Sequence, residues 1–302
     1  MNAYERQVLR DWLNEDQRKQ NLTTRLTKQL SGRLSKVAKI AAGQETLAKG
    51  MDKLRDVTRH ALLQVLSQAT TAKQMQQVEQ VAYTFGGHVN TASDLRMLPL
   101  EVKDQISRTL TKKHTARLTT EGAAAGFATS LFELVPGLQA LVLPTIVADL
   151  TATVFFMAQS AVQIGYSYGY SMEMEEDITH FLFALAPYDL DENILEAKVA
   201  LHMSIKKGTM LPIAQLANHE ALRPLIDRIA TRIATTFMEQ RVSLLIPVAG
   251  ALLQGTLNAT FAKSSYKSAK RYFQRQHFME RYGEDYLEQC LQETMSPTYQ
   301  TS

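Results

Sequence analysis

The sequence predicts an all-α protein: a single large helical domain with Gly/Ala-rich apolar helical hairpins and a basic N-terminal helical extension. Three observations predict it. Apolar residues recur near a period of 3.6, as in Leu22, Leu26, Leu30 and Leu34, and again in Leu62, Val65, Leu66, Ala69, Ala72, Val78 and Ala82, which lines them up along helical faces. Two long stretches carry almost no charge: from 134 to 172 there is only Asp149, and from 242 to 262 there is none. Nowhere does a strand pattern alternate with a helical one.

Composition sets the outer bounds. The 302 residues are 45% apolar and 21% charged, the balance of a globular chain and too apolar for a disordered one. The formal net charge of +3 is too small to imply a partner. With no zinc finger, RNA-binding motif or dense basic tail, no nucleic-acid partner is expected. Cys290, the one cysteine, cannot staple the chain internally, which fits a reducing compartment. The first twenty residues are charged throughout and lack the apolar run of a secretory signal. The expected location is cytoplasmic, peripheral on the cytoplasmic membrane, with integral insertion left open.

Three segments follow from the patterning: an amphipathic helical extension over 1–100, a helical core over 101–292, and a polar, frayed tail over 293–302. Residues 1–60 hold thirteen Lys or Arg against seven Asp or Glu. Arg25, Lys28, Lys36 and Lys39 fill much of the face opposite the leucines. This is either a solvated face packed on the body or a contact for anionic lipid or an acidic partner. Gly86-Gly87 stops the helix before it, the Thr91–Asp94 segment can start the next, and Pro99 interrupts that one.

Beyond Arg117 the composition changes. From 118 to 197 there is no Lys or Arg, yet there are eleven acidic residues. Pro136-Gly137 and Pro144 are expected to cut the uncharged stretch into short pieces ahead of a long apolar helix over about 148–166. The 21 residues of 242–262 could just cross a hydrocarbon core, although Pro247, Gln254 and Asn258 lower their apolarity. A buried soluble hairpin, a membrane-inserting segment and a full span all remain open. Small residues such as Ala251, Gly255 and Ala259 would let a neighbouring helix approach closely in either medium. A closing helix with Tyr272, Phe278, Tyr282 and Tyr286 follows, with Lys267, Lys270, Arg271 and Arg275 expected on its outer face and a break at Gly283.

Two blocks carry a family resemblance. The first is PTIVADLTATVFFMAQSAVQIGYSYGYSMEMEED at 144–177, with Pro144, Asp149, Leu150, Gly169 and Tyr170. The second is IPVAGALLQGTLNATFAKSSYKSAKRYFQRQHF at 246–278, with Pro247, Gly250, Asn258, Phe261, Arg271, Phe273 and Arg275. In pattern, order and separation the two together resemble the EcsC protein family over roughly 110–285. That family takes its name from a protein encoded beside an ABC transporter. The resemblance implies an all-helical core and a link to the cell membrane or transport, and it brings no catalytic residue.

Several residues invite a chemical role. Gly165-Tyr166-Ser167-Tyr168-Gly169 matches G-x-S-x-G formally, but a nucleophile elbow needs a strand before the serine, and the preceding run reads as helix. A hydrolase centred on Ser167 is therefore the weakest alternative; the glycines read better as a helix terminus and the tyrosines as a packing platform. Asp149 sits among apolar residues, where an unpaired carboxylate is costly. It reads as a helix N-cap, a partner of Arg241 or Arg271, or a ligand contact. Asn258 poses the same question. Together Asp149, Tyr166, Gly169, Tyr170, Asn258 and Arg271 make a candidate binding set around an apolar pocket. The acidic run Glu173, Glu175, Glu176 and Asp177 lacks the ligand pattern of an EF-hand or zinc site. It reads as a solvated helix N-terminus or as a patch docked on the basic N-terminal or C-terminal helices of the same chain. With no Walker A loop or dinucleotide fingerprint, no cofactor, metal or catalytic residue is expected.

The function expected from all this is that of a non-enzymatic, membrane-associated accessory protein. The basic residues Arg25, Lys28, Lys36, Lys39, Lys267 and Lys270 would face an anionic membrane surface or a membrane protein such as an ABC transporter. A soluble module holding a lipid-like ligand is the alternative.

Overall fold

The computed structural model describes residues 1–17, 44–68, 71–112, 139–185, 219–220, 222–242 and 250–295. Among these the fold is all-α, with no strand. In order come α1 (3–17), α2 (Gln44–Gln68), α3 (Thr71–Thr84), α4 (Ala92–Met97) and α5 (100–112). There follow α6 (Gln139–Ser167), α7 (Glu175–Leu185), α8 (Leu222–Val242), α9 (Gly250–Tyr282) and α10 (Glu284–Met295). Arg25, Lys28, Lys36, Lys39, the leucine face from Leu22 to Leu34 and residues 243–249 lie outside the described residues. So do the side chains of Asp149 and Asn258.

The helix ends follow from local chemistry. α3 stops where Gly86, at φ +79°, turns left-handed. Its N–H donates to Tyr83 O (3.1 Å) and that of Gly87 to Ala82 O (3.0 Å), the paired bonds of a Schellman cap. α4 opens on a capping box: Thr91 Oγ1 accepts from Asp94 N, and the Asp94 carboxylate accepts from Thr91 N at 2.9 Å. That satisfies two of the orphan donors of a helix start. Pro99 then separates α4 from α5, and its carbonyl accepts from Val102 N and Lys103 N.

α6 departs from the sequence reading. It runs through Pro144 rather than starting after it, giving up the one bond that the proline N cannot donate. Asp149 consequently lies well inside the helix, where the backbone N–H groups are already paired along the chain, and not at a cap. Asn258 lies inside α9. Among the described residues no helix is long and apolar enough to cross a membrane.

The chain divides into two compact units. The first comprises Met1–Lys49 with Gln274–Ser302. Its core is Val8, Leu9 and Trp12 of α1, Phe278 of α9 and Leu287 of α10. Trp12 Nε1 donates to Gln274 Oε1 at 3.0 Å, and the Trp12 and Phe278 rings meet edge to face, centroids 5.6 Å apart. Glu5 is buried here. Its carboxylate accepts from Asn2 N (2.7 Å) and from the Tyr282 hydroxyl (2.8 Å). Burial pushes this carboxyl up, but those two hydrogen bonds and the charges of His277 and Arg281 outweigh it and hold it below the usual value.

The second unit comprises Gly50–Phe273. Within it α6 packs against α3, α7 and α8, and α7 against α8. Leu54, Leu62 and Leu66 of α2, Val154, Val162 and Ile164 of α6 and Ile226, Ile229 and Ile233 of α8 are all buried. Of the periodic residues over 51–84, Leu62, Val65, Leu66, Val78 and Ala82 are buried and form a core face.

Candidate functional site

The heptapeptide Gly165–Ser171 ends α6 and organises the second unit. Gly169 takes φ +88°, its N–H donates to Tyr166 O, and Tyr170 N donates to Gly165 O, each at 3.0 Å. This is again a Schellman cap, with Gly169 at the left-handed position. The turn is also tightly enclosed. A Cβ at Gly169 would overlap the Ala92 carbonyl oxygen and stand 2.6 Å from Arg96 Cγ; one at Gly165 would overlap the Phe181 ring and stand 2.8 Å from Phe273 Cζ. Both glycines are there because backbone and rings come too close for any side chain.

The three tyrosines between and beside them are buried. Phe273 of α9 stands at their centre, with ring centroids 5.9 Å from Tyr168, 5.1 Å from Tyr170 and 5.9 Å from Phe181. Ser167 is buried as well, its hydroxyl donating to Gln163 O at 2.8 Å. A helix precedes it, so the strand–turn–helix of a nucleophile elbow is absent. The Tyr166 hydroxyl accepts from Met172 N at 3.2 Å, and its ring packs on Phe181.

Two charged groups complete the junction. On one side Arg96, the last basic residue of α4, reaches over the turn. Its Nε donates to Gly169 O (3.0 Å), its Nη2 to Asp177 Oδ1 (2.8 Å), and its guanidinium lies 4.9 Å from the Tyr170 ring centre. Asp177 Oδ2 also accepts from Ser171 N at 2.8 Å. On the other side Asp104 of α5 is buried, accepts from the Tyr168 hydroxyl and pairs with Lys270 Nζ at 3.1 Å. Lys103, also buried, donates to Arg96 O at 2.8 Å and so closes the C-terminal end of α4. His180 Nδ1 lies 2.8 Å from the Tyr272 hydroxyl, and the His180 ring sits beside Tyr170.

Several sequence expectations change here. Lys270, expected on an outer basic face, is only 17% exposed and neutralises a buried carboxylate, while Lys267, one turn earlier, stays exposed. Arg271 is half-buried on the same turn. The acidic run is not simply solvated: Asp177 is buried against Arg96, and Glu175, also buried, lies 3.3 Å from His219 Nε2. Of the candidate binding set, Tyr166, Gly169 and Tyr170 come together, with both tyrosines buried. Asp104, Lys103 and Arg96 escaped the sequence reading. The signal that could have found Arg96 is the absence of any basic residue over 118–197, which forces a buried acid there to seek its counter-charge elsewhere.

Two carboxyls of this region titrate in opposite directions. Burial pushes Asp177 above the ordinary Asp value of 3.8, although Ser171 N–H and Arg96 pull it down. The hydrogen bonds from Asn90 N, the Thr91 hydroxyl and Thr91 N hold Asp94 below it. For Asp177 the protonated form is favoured by the fold; its contribution is full below 3.8 and lost as pH rises through the raised value. For Asp94 the contribution is present above 3.8 and lost as pH falls through the lowered one. A carbon-detected NMR titration of the side-chain carboxyls should show Asp94 protonating at lower pH than Asp177; the reverse order would refute this electrostatic picture.

No curated protein and no solved structure matches the chain. The family description that matches is the EcsC protein family, over residues 4–277. The matched range takes in Arg96 and Asp104 as well as Gly169, Asp177, Lys270 and Phe273, so the residues that meet at this junction all fall within it, and the chain belongs to the EcsC protein family.

Proposed function

We propose that this chain is a non-enzymatic accessory protein that works at an anionic membrane surface. The observation that carries the reading is the segregation of charge along the chain. Residues 1–60 hold thirteen basic and seven acidic residues, whereas 118–197 hold eleven acidic and no basic ones. A basic segment near an anionic bilayer gains about 1 kcal/mol per Lys or Arg at the surface. Family membership is compatible with this and names no reaction. The polar groups of the junction also favour a binding protein over an enzyme, since Ser167, Asp104 and Asp177 are engaged in holding helix ends together. A membrane protein with an acidic cytoplasmic face, such as a transporter, would present the same chemistry.

The test is cosedimentation with vesicles containing phosphatidylglycerol. Replacing Arg25, Lys28, Lys36 and Lys39 together by Gln should weaken binding at least a hundredfold, on the order of four charges at about 1 kcal/mol each. Raising the salt several-fold should release the wild-type protein, because exposed charges are then screened. No binding at low salt, or equal binding by the variant, would refute the proposal.

A further inference from the structure

In the second unit the described residues leave an open cavity of about 430 Å³ between α2 and α6. Lys53, Asp56, Val57, His60, Ala61 and Gln64 line it from α2, and Thr151 lines it from α6. The α2 residues follow spacings of three and four, so they form one helical face. That face is ordered by chemistry: half-buried Val57 and buried Ala61 form an apolar floor, and exposed Lys53, Asp56, His60 and Gln64 form a polar rim. Along the rim the side chains run cationic, anionic, imidazole, each about one turn from the next.

His60 is also oriented. Its Nδ1 lies 3.0 Å from Asp56 O. A carbonyl only accepts, so Nδ1 carries the proton and Nε2 is the atom left for a ligand. The cavity lies in the lower part of the range for small-molecule sites. It has room for a headgroup and the start of a chain, and not for a whole two-chain lipid.

We infer that this groove holds the phosphate–ammonium headgroup of a phosphoethanolamine lipid. The phosphate pairs with Lys53, and the ammonium donates to Asp56 and to Nε2 of His60, while the first chain carbons lie over Val57 and Ala61. The alternation of charge selects a zwitterion: a simple anion would meet Asp56, and a simple cation would meet Lys53. The inference rests on the reading that the protein works at a lipid surface and names the lipid it takes there.

The test uses the full-length protein and lysophosphatidylethanolamine below its micelle concentration, followed by the NMR shifts of the His60 ring. Saturable binding is expected, at least tenfold tighter than that of inorganic phosphate or ethanolamine alone. Lys53→Glu, at an exposed position, and Val57→Trp, which fills the floor, should each weaken it at least tenfold. Val57→Trp, which leaves every charge in place, should keep salt-sensitive binding to phosphatidylglycerol vesicles. Absence of saturation, equal binding of inorganic phosphate, or unchanged affinity in folded Lys53→Glu protein would overturn the inference. If vesicle binding itself is missing in the wild type, it is the membrane-surface reading that fails.

Discussion

Gly169→Ala is expected to destabilise the second unit by about 3–4 kcal/mol. Two costs add. A left-handed backbone costs an ordinary residue about 1–2 kcal/mol, and Gly169 sits at φ +88°. Forcing a methyl into a filled interior costs about 1–3 kcal/mol more, and here the neighbours are the Ala92 carbonyl oxygen and Arg96 backbone N, which cannot swing aside as a side-chain tip could. For a unit of this size the loss is a drop of roughly 10 °C in melting temperature. Gly86→Ala isolates the first cost. Gly86 has φ +79° but nothing within 4 Å of its would-be Cβ, so about 1–2 kcal/mol is expected. Thermal unfolding of the two variants side by side checks the pair; equal losses would mean that the turn at Gly169 is not enclosed as described.

The second large effect is expected at Asp104. Replacing it by alanine leaves the Lys270 ammonium and the Tyr168 hydroxyl inside the protein without their acceptor. Breaking a buried pair from one side costs about 3–5 kcal/mol, because the surviving charge stays desolvated. Removing both charges is a different matter, since an apolar replacement of a buried pair is often nearly neutral. Asp104→Ala combined with Lys270→Met should thus recover much of the loss, and the urea midpoints of the four proteins give the coupling directly. Additive losses would show that Lys270 does not serve Asp104.

These two sites also show what could be read from the chain and what could not. Gly86-Gly87 and the Thr91–Asp94 box were legible because a cap is a local event, written in two to four adjacent residues. The all-helical class was legible because a 3.6 period needs no knowledge of partners. The junction was not. Gly169 looked like a helix terminator, but its second role, admitting the Ala92 carbonyl, depends on a residue 77 positions away in the sequence. Lys270 looked like surface because its neighbours Lys267, Arg271 and Arg275 are also basic; only the position of Asp104 turns it inward. Asp149 looked like a cap because Pro144 suggested a start, whereas a proline costs a helix only one backbone bond and some strain, and α6 runs through it. Charge composition, in contrast, survives any fold, which is why the proposed function leans on it.

The most direct measurement of that function is fractionation of the untagged protein from gently lysed cells at native abundance. Sedimentation with membranes at low salt and release by high salt or carbonate is the predicted result. Recovery in the supernatant at low salt, or resistance to both treatments, would contradict electrostatic attachment to a membrane surface.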